Sequence, residues 1–160
     1  MVKSFINARN NYNIEKVGPL IEENYSEIFI DGSKEIESKK QLMDRILWGK
    51  ELDSKIKLLH IEPDGNTIVT IEENTNFLDV AMKRKPRKFK IVYSFINGKI
   101  QHQKIDTLPG YHAIIKFNSG KYKKFAEYCE QHNLIYNGDS LNQEFGIHLR
   151  KVLEQYKAEN

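Results

Sequence analysis

The sequence predicts an α+β fold: a curved antiparallel sheet packed on N-terminal helices, with extra helices at the C-terminus. Three observations carry this. Residues 54–105 hold a ladder of strand-like runs, KIKLLHIE, TIVTIEENTNFLDVAM, FKIVYSFI and KIQHQKID, separated by PDGN, KRKPRK and NG. Before the ladder, apolar residues recur at helical spacing, and after Asp106 that spacing returns. The chain has 160 residues, 39% hydrophobic and 11% aromatic, enough for one domain with a real core.

Taken in order, Val2, Phe5 and Ile6 form an apolar stripe on a first short helix, interrupted at Asn10–Asn13. Ile14 and Val17 restart the pattern with Asn13 as N-cap, and Pro19 opens a new turn because it cannot sit inside a helix. Tyr25–Asp31 alternates as a strand that Gly32 ends, and Lys34–Glu37 is a short return strand. Ser38 and Gln41 make a capping box for a helix with Leu42, Met43, Ile46 and Leu47 on one face, stopped at Gly49. In the ladder, Pro63-Asp64-Gly65-Asn66 and Asn97-Gly98 are hairpin turns. Residues 67–82 exceed one ordinary strand, so a bend or bulge is expected near Glu73–Asn76. Phe89, Ile91, Tyr93 and Phe95 alternate with polar neighbours and face the core. Beyond Pro109-Gly110, His112–Phe117 reads as one more strand. Ser119 starts a helix through Tyr122, Phe125, Ala126 and Cys129. Ser140 with Gln143 caps a last helix lined by Leu141, Phe145, Leu149, Val152, Leu153 and Tyr156.

Twenty-five basic residues face 22 acidic ones, a net charge of +3, which is no nucleic-acid footprint. No run approaches the ~20 apolar residues of a membrane span, and the N-terminus has no signal-peptide core. The single cysteine, Cys129, fits a reducing cytoplasm. Five histidines without HxH or HxxxH spacing, and one cysteine, give no built metal site, and no cofactor motif is present.

The order of elements resembles the nuclear transport factor 2-like superfamily, which includes ketosteroid isomerases and SnoaL-type polyketide cyclases. The residues that carry it are Phe5-Ile6-Asn7-Ala8 with Asn10, Leu20–Tyr25, Ile28-Phe29-Ile30-Asp31-Gly32, and Ser38-Lys39 with Leu42. Tyr93-Ser94-Phe95 before Asn97-Gly98-Lys99-Ile100, with Ile105-Asp106, resembles the closing hairpin. The resemblance implies a cone-shaped, cystatin-like sheet over residues 1–106, with 107–160 as a helical extension packed on the same domain or on a partner chain. It implies a pocket between sheet and helices, and dimerisation in many members, so a homodimer is expected.

Asp31 sits where the isomerase-like members carry a general base, although an Asp-Gly pair also simply ends a strand. Phe5 stands where those enzymes use a tyrosine hydroxyl, and Ile91 or Val92 where they use a protonated acid. Neither replacement donates a hydrogen bond, so standard steroid-isomerase chemistry is not expected. Asp79, read as part of a strand FLDVAM, shares a face with Phe77 and Ala81 that is either concave or convex. His60 and His102 are candidate partners for a carboxylate. Phe5, Tyr12, Phe29, Trp48, Phe77, Tyr93, Phe95 and His102 are the expected lining of a ligand pocket. The basic run 83–88 reads as a solvated loop, with anion binding as the sharper alternative. Three functions follow: binding of a small apolar molecule, an isomerase, lyase or cyclase using Asp31 or Asp79, or an interaction module without ligand.

Overall fold

The computed structural model describes residues 1–160. Helix α1 (Val2–Asn10) is followed by a single-turn helix α2 (Ile14–Val17), which Asn13 caps by accepting from the Lys16 amide at 2.9 Å. Pro19 lies in a 3-10 turn that leads into β1 (Ile21–Phe29). Strand β2 (Lys34–Ile36) returns against it, and α3 (Lys39–Glu51) follows. The hairpin β3 (Lys55–Asp64) and β4 (Thr67–Thr75) precedes a short helix α4 (Phe77–Met82). A second hairpin, β5 (Arg87–Ile96) and β6 (Lys99–Thr107), closes the sheet. Two longer helices end the chain, α5 (Tyr111–Gln131) and α6 (Gln143–Glu159). No helix is long and apolar enough to cross a membrane.

The six strands lie in the order β2-β1-β6-β5-β4-β3. All neighbours are antiparallel except β1 and β6, which run parallel, so the sheet is mixed where the sequence suggested an antiparallel one. Register breaks at Glu27/Ile28, Leu58/His60 and Ser94/Phe95 add local bends to the sheet's twist. Asn97 and Gly98 both take positive φ, 50° and 73°, as a tight primed hairpin turn requires.

The inner face of the sheet receives Phe89, Ile91 and Tyr93 as the alternation predicts, with Phe95 packed against them only partly buried. They meet Phe5 and Ile6 of α1, Val17, and Leu42 and Ile46 of α3 in one core. A second core joins Leu52, Phe77, Ala81 and Met82 to Phe125, Tyr128 and Cys129 of α5 and Leu149, Val152, Leu153 and Tyr156 of α6. The apolar stripe of α6 is therefore covered inside the protomer.

Four expectations are corrected. Residues 67–82 are not one bent strand: β4 ends at Thr75 and FLDVAM is helical. Asn76 accepts from the Asp79 amide and Asp79 accepts from the Asn76 amide, a capping box that starts α4 and overrides the alternation. Residues 112–117 are helical, because Gly110 at φ 87° turns the chain directly into α5, which runs through Ser119 and Gly120. Asn142, not Ser140, caps α6. Gly49 does not stop α3: a Cβ there would lie 3.1 Å from the Ser54 Cβ, so the glycine serves close packing inside the helix.

Candidate functional site

A cavity of about 280 Å3 lies between the inner face of the sheet and helices α1 and α3. Its apolar wall includes Tyr12, Phe29, Trp48, Phe89, Ile91 and Tyr111. Its polar wall includes Arg9, Glu27, Glu35, Arg45, Glu72, Asn74, Arg87 and Gln103. The volume stands just below the ~300 Å3 at which small-molecule pockets commonly begin.

Two carboxylates dominate the polar wall. Glu27, near the end of β1, is buried and accepts from Arg9 Nη1 at 3.0 Å and from the Tyr25 hydroxyl at 2.7 Å. Gln103 of β6 donates in turn to the Tyr25 oxygen. Glu72 of β4, 3% exposed, accepts from Thr70 Oγ1 at 2.6 Å and from the Tyr93 hydroxyl at 2.7 Å. Burial raises the Glu72 pKa above the ordinary carboxylate value, and the bonds from Thr70 and Tyr93 only partly offset it. Burial opposes the charge on Arg9 more than any single neighbour favours it, but Glu27, Tyr25, Tyr93 and Glu72 together outweigh burial, and the guanidinium is held charged more firmly than usual. Burial pushes the Tyr25 and Tyr93 phenols well up, aided by the adjacent carboxylates. Both phenols are thus donors, and the raised pKa of Glu72 makes it a group able to take up or release a proton.

The backbone positions these groups. Thr70, Glu72 and Asn74 share one parity of β4, opposite Ile91, Phe89 and Arg87 of β5. Asn10 at the end of α1 holds Ile56 by both amide and carbonyl, each at 2.8 Å, and so fixes α1 across β3. The Tyr12 hydroxyl donates to the Ser54 carbonyl at 3.1 Å. Arg45 of α3 pairs with Glu35 of β2 at 2.6 Å. Three cavity residues carry a buried polar atom without a partner: Trp48 Nε1, Asn74 Oδ1 and Arg87 Nε. Burying such groups unpaired costs about 1–3 kcal/mol each.

Of the expected lining, Tyr12, Phe29 and Trp48 border the cavity. Phe5 and Tyr93 are fully buried in the core beneath it, 6.2 Å apart between ring centroids. Phe77 belongs to the second core, under the Arg150 guanidinium at 3.6 Å, and Phe95 packs on the first core away from the cavity. His102 is paired with Ser26 at 2.7 Å and does not border the cavity. His60 is exposed beside Glu62.

Neither expected base borders it. Asp31 is exposed in the β1–β2 turn, accepting from the Ser33 hydroxyl at 2.6 Å and its amide at 2.9 Å, and these bonds lower its pKa. Asp79 is buried, but on α4, where Arg84 Nη2 holds it at 2.7 Å. Cys129 is buried in the second core, and burial pushes its thiol up to about 11, which leaves it unreactive. Sequence reading missed Glu27 and Glu72. The available signal was parity: Tyr25 with Glu27, and Thr70 with Glu72, place each carboxylate next to a hydroxyl on the inward face.

No protein-family model and no curated protein matches the chain. Solved structures do resemble it. An NTF2-like protein of unknown function from Cytophaga hutchinsonii superimposes with TM-score 0.51 at 18% identity, covering 65% of this chain and 83% of its own. An uncharacterized cystatin-fold protein from Novosphingobium aromaticivorans gives 0.55 at 17% identity, over 65% and 92%. An LEH-like epoxide hydrolase from M. tuberculosis gives 0.54 at 13% identity, over 77% and 92%. At these identities the likeness concerns the fold alone.

Proposed function

The chain has the nuclear transport factor 2-like fold, and we propose that it uses the cavity between sheet and helices to bind a small molecule with an apolar body and a polar head. The observation that carries this reading is the cavity itself, lined by aromatic side chains and by charged, hydrogen-bonding ones together. The unpartnered atoms of Trp48, Asn74 and Arg87 support a polar head over a purely apolar ligand. A polar group left unpaired in the free protein gains more from a ligand that satisfies it than an already paired one does.

Trp48 is the one tryptophan of the chain and borders the cavity, so it reports occupancy directly. Nitrobenzoate, a quencher with a flat body and an anionic head, should quench Trp48 saturably at one equivalent. Ile56→Phe, which adds bulk at the cavity wall, should abolish that quenching. Linear, unsaturable quenching, or saturation that persists in Ile56→Phe, would remove the cavity from consideration.

Glu72 favours a second reading, acid–base catalysis on the bound molecule. It is buried, stands at the cavity wall and holds its proton to a higher pH than an ordinary glutamate. The epoxide hydrolase among the structural neighbours is an enzyme by its description. It lends this chain a scaffold and no residue.

A further inference from the structure

We propose that the cleft between the basic connection after α4 and the middle of α5 is an oxyanion site that takes a phosphate group. The cleft, about 430 Å3, is bordered by Arg84, Arg87 and Lys123 together with the hydroxyl-bearing Ser119 and Tyr122, and no carboxylate borders it. It is distinct from the cavity, sharing with it only Arg87.

The cleft is held in shape from both sides. Asn118 of α5 accepts from the Lys85 amide at 2.8 Å and donates to the Lys85 carbonyl at 2.9 Å, which ties the connection to the helix. Arg84 is anchored to Asp79 through Nε at 2.9 Å and Nη2 at 2.7 Å, and both bonds fall on one carboxylate oxygen. The other oxygen of Asp79 is occupied by the Asn76 amide at 2.9 Å. Asp79 therefore attracts a second cation only at a distance, with no hydrogen bond to it.

Arg87 is that second cation. It enters no ion pair, and its buried Nε has no partner. Burial works against its charge, and the neighbouring Arg84 adds repulsion. Lys123 adds a third positive charge, held only by a long 3.9 Å contact to Glu127 at the surface. Three cations thus face one cleft with no carboxylate in its lining, Asp79 being committed to Arg84 and Glu127 touching Lys123 only at long range. A tetrahedral dianion would relieve the Arg84–Arg87 repulsion and supply acceptors for guanidinium, ammonium and hydroxyl donors together. The charge and the donor set suit a single phosphate, free or as the head of a phosphomonoester.

The site shares Arg87 with the cavity and no other residue, and the test separates the two. Inorganic phosphate titrated calorimetrically into the full chain, in low-salt chloride buffer, should bind saturably at one site. Hydrogen bonds to charged groups imply that Arg87→Gln weakens this about tenfold or more. Lys123→Gln, at an exposed position, should weaken it about threefold. Lys55→Gln, which alters only the cavity, should leave it unchanged. Phenyl phosphate binding tighter than phosphate, with the advantage lost in Ile56→Phe, would identify a phosphomonoester reaching into the cavity. Equal affinities would identify free phosphate, and either result supports the site. Absence of saturable binding at millimolar phosphate overturns the proposal. So does an affinity unmoved by Lys123→Gln, which decides the matter should Arg87→Gln fail to fold, or one lost in Lys55→Gln.

Discussion

Single residues decide the chemistry of the cavity, and Glu72 is the sharpest case. Its carboxyl is buried beside two hydroxyl donors, and its folded pKa lies above the unfolded one. The proton it retains stabilises the fold fully below the ordinary carboxylate pKa. That contribution is lost as pH rises through the raised value. Both donors use the same oxygen, Oε1, which glutamine retains. Glu72→Gln should therefore keep the fold and gain stability over the natural chain as pH rises from about 4 to about 8. Urea denaturation across that range reads the difference, and a gap that is constant with pH would show that Glu72 does not titrate as described. Asp31, the carboxylate that sequence singled out, behaves oppositely because it is exposed and doubly bonded to Ser33. An Asp-Gly pair after an apolar strand looks the same in sequence whether its side chain meets a pocket or its own turn.

Elements were legible where a local signal was strong. Asn97-Gly98 and Gly65-Asn66 turn where turn chemistry demands, and the alternation of β5 places Phe89, Ile91 and Tyr93 inward. The misreadings came where two periods competed. FLDVAM alternates acceptably as a strand, yet the reciprocal Asn76–Asp79 cap makes it helix α4 and carries Asp79 away from the sheet. Packing between elements is equally specific, and α6 crosses α3 at Gly146. A Cβ there would meet the Trp48 carbonyl oxygen at 3.0 Å, the Glu51 Cβ at 3.1 Å and the Trp48 Cα at 3.2 Å. Two of these are backbone atoms that cannot swing away. Gly146→Ala should cost up to about 2 kcal/mol net, because overpacking at about 1–3 kcal/mol is offset by only the ~1 kcal/mol gain in helix propensity. Gly120, in α5, has nothing within 4 Å of the same position. Gly120→Ala should instead gain up to about 1 kcal/mol. Urea titrations of the two variants should move in opposite directions, and a shared sign would refute the close crossing of α3 and α6.

At the scale of the whole molecule, two cores are joined through α3 and the Leu52 corner, and the C-terminal helices complete the second. A chain ending at Asp106 would bare Leu52, Phe77 and Met82, which are 0%, 8% and 2% exposed in the full fold. Burial of such side chains is worth about 1.5–3 kcal/mol each, so their loss approaches the ~5–15 kcal/mol that stabilises a whole domain. The shortened chain should lose its cooperative thermal transition by circular dichroism. A transition within a few degrees of the full chain would show that residues 1–106 stand alone. What the sequence by itself determined is the fold class, the hairpin turns and the inward row of β5, because turn chemistry and a period of two act over a few residues. Only the tertiary structure decided which polar groups share a cavity. Arg9, Glu27, Glu72 and Gln103 come from four separate elements, and nothing local to any of them encodes the others. Their meeting depends on the strand order, the parallel β1–β6 pair and the bulges that set each strand's parity, long-range facts that a single chain of letters holds only implicitly.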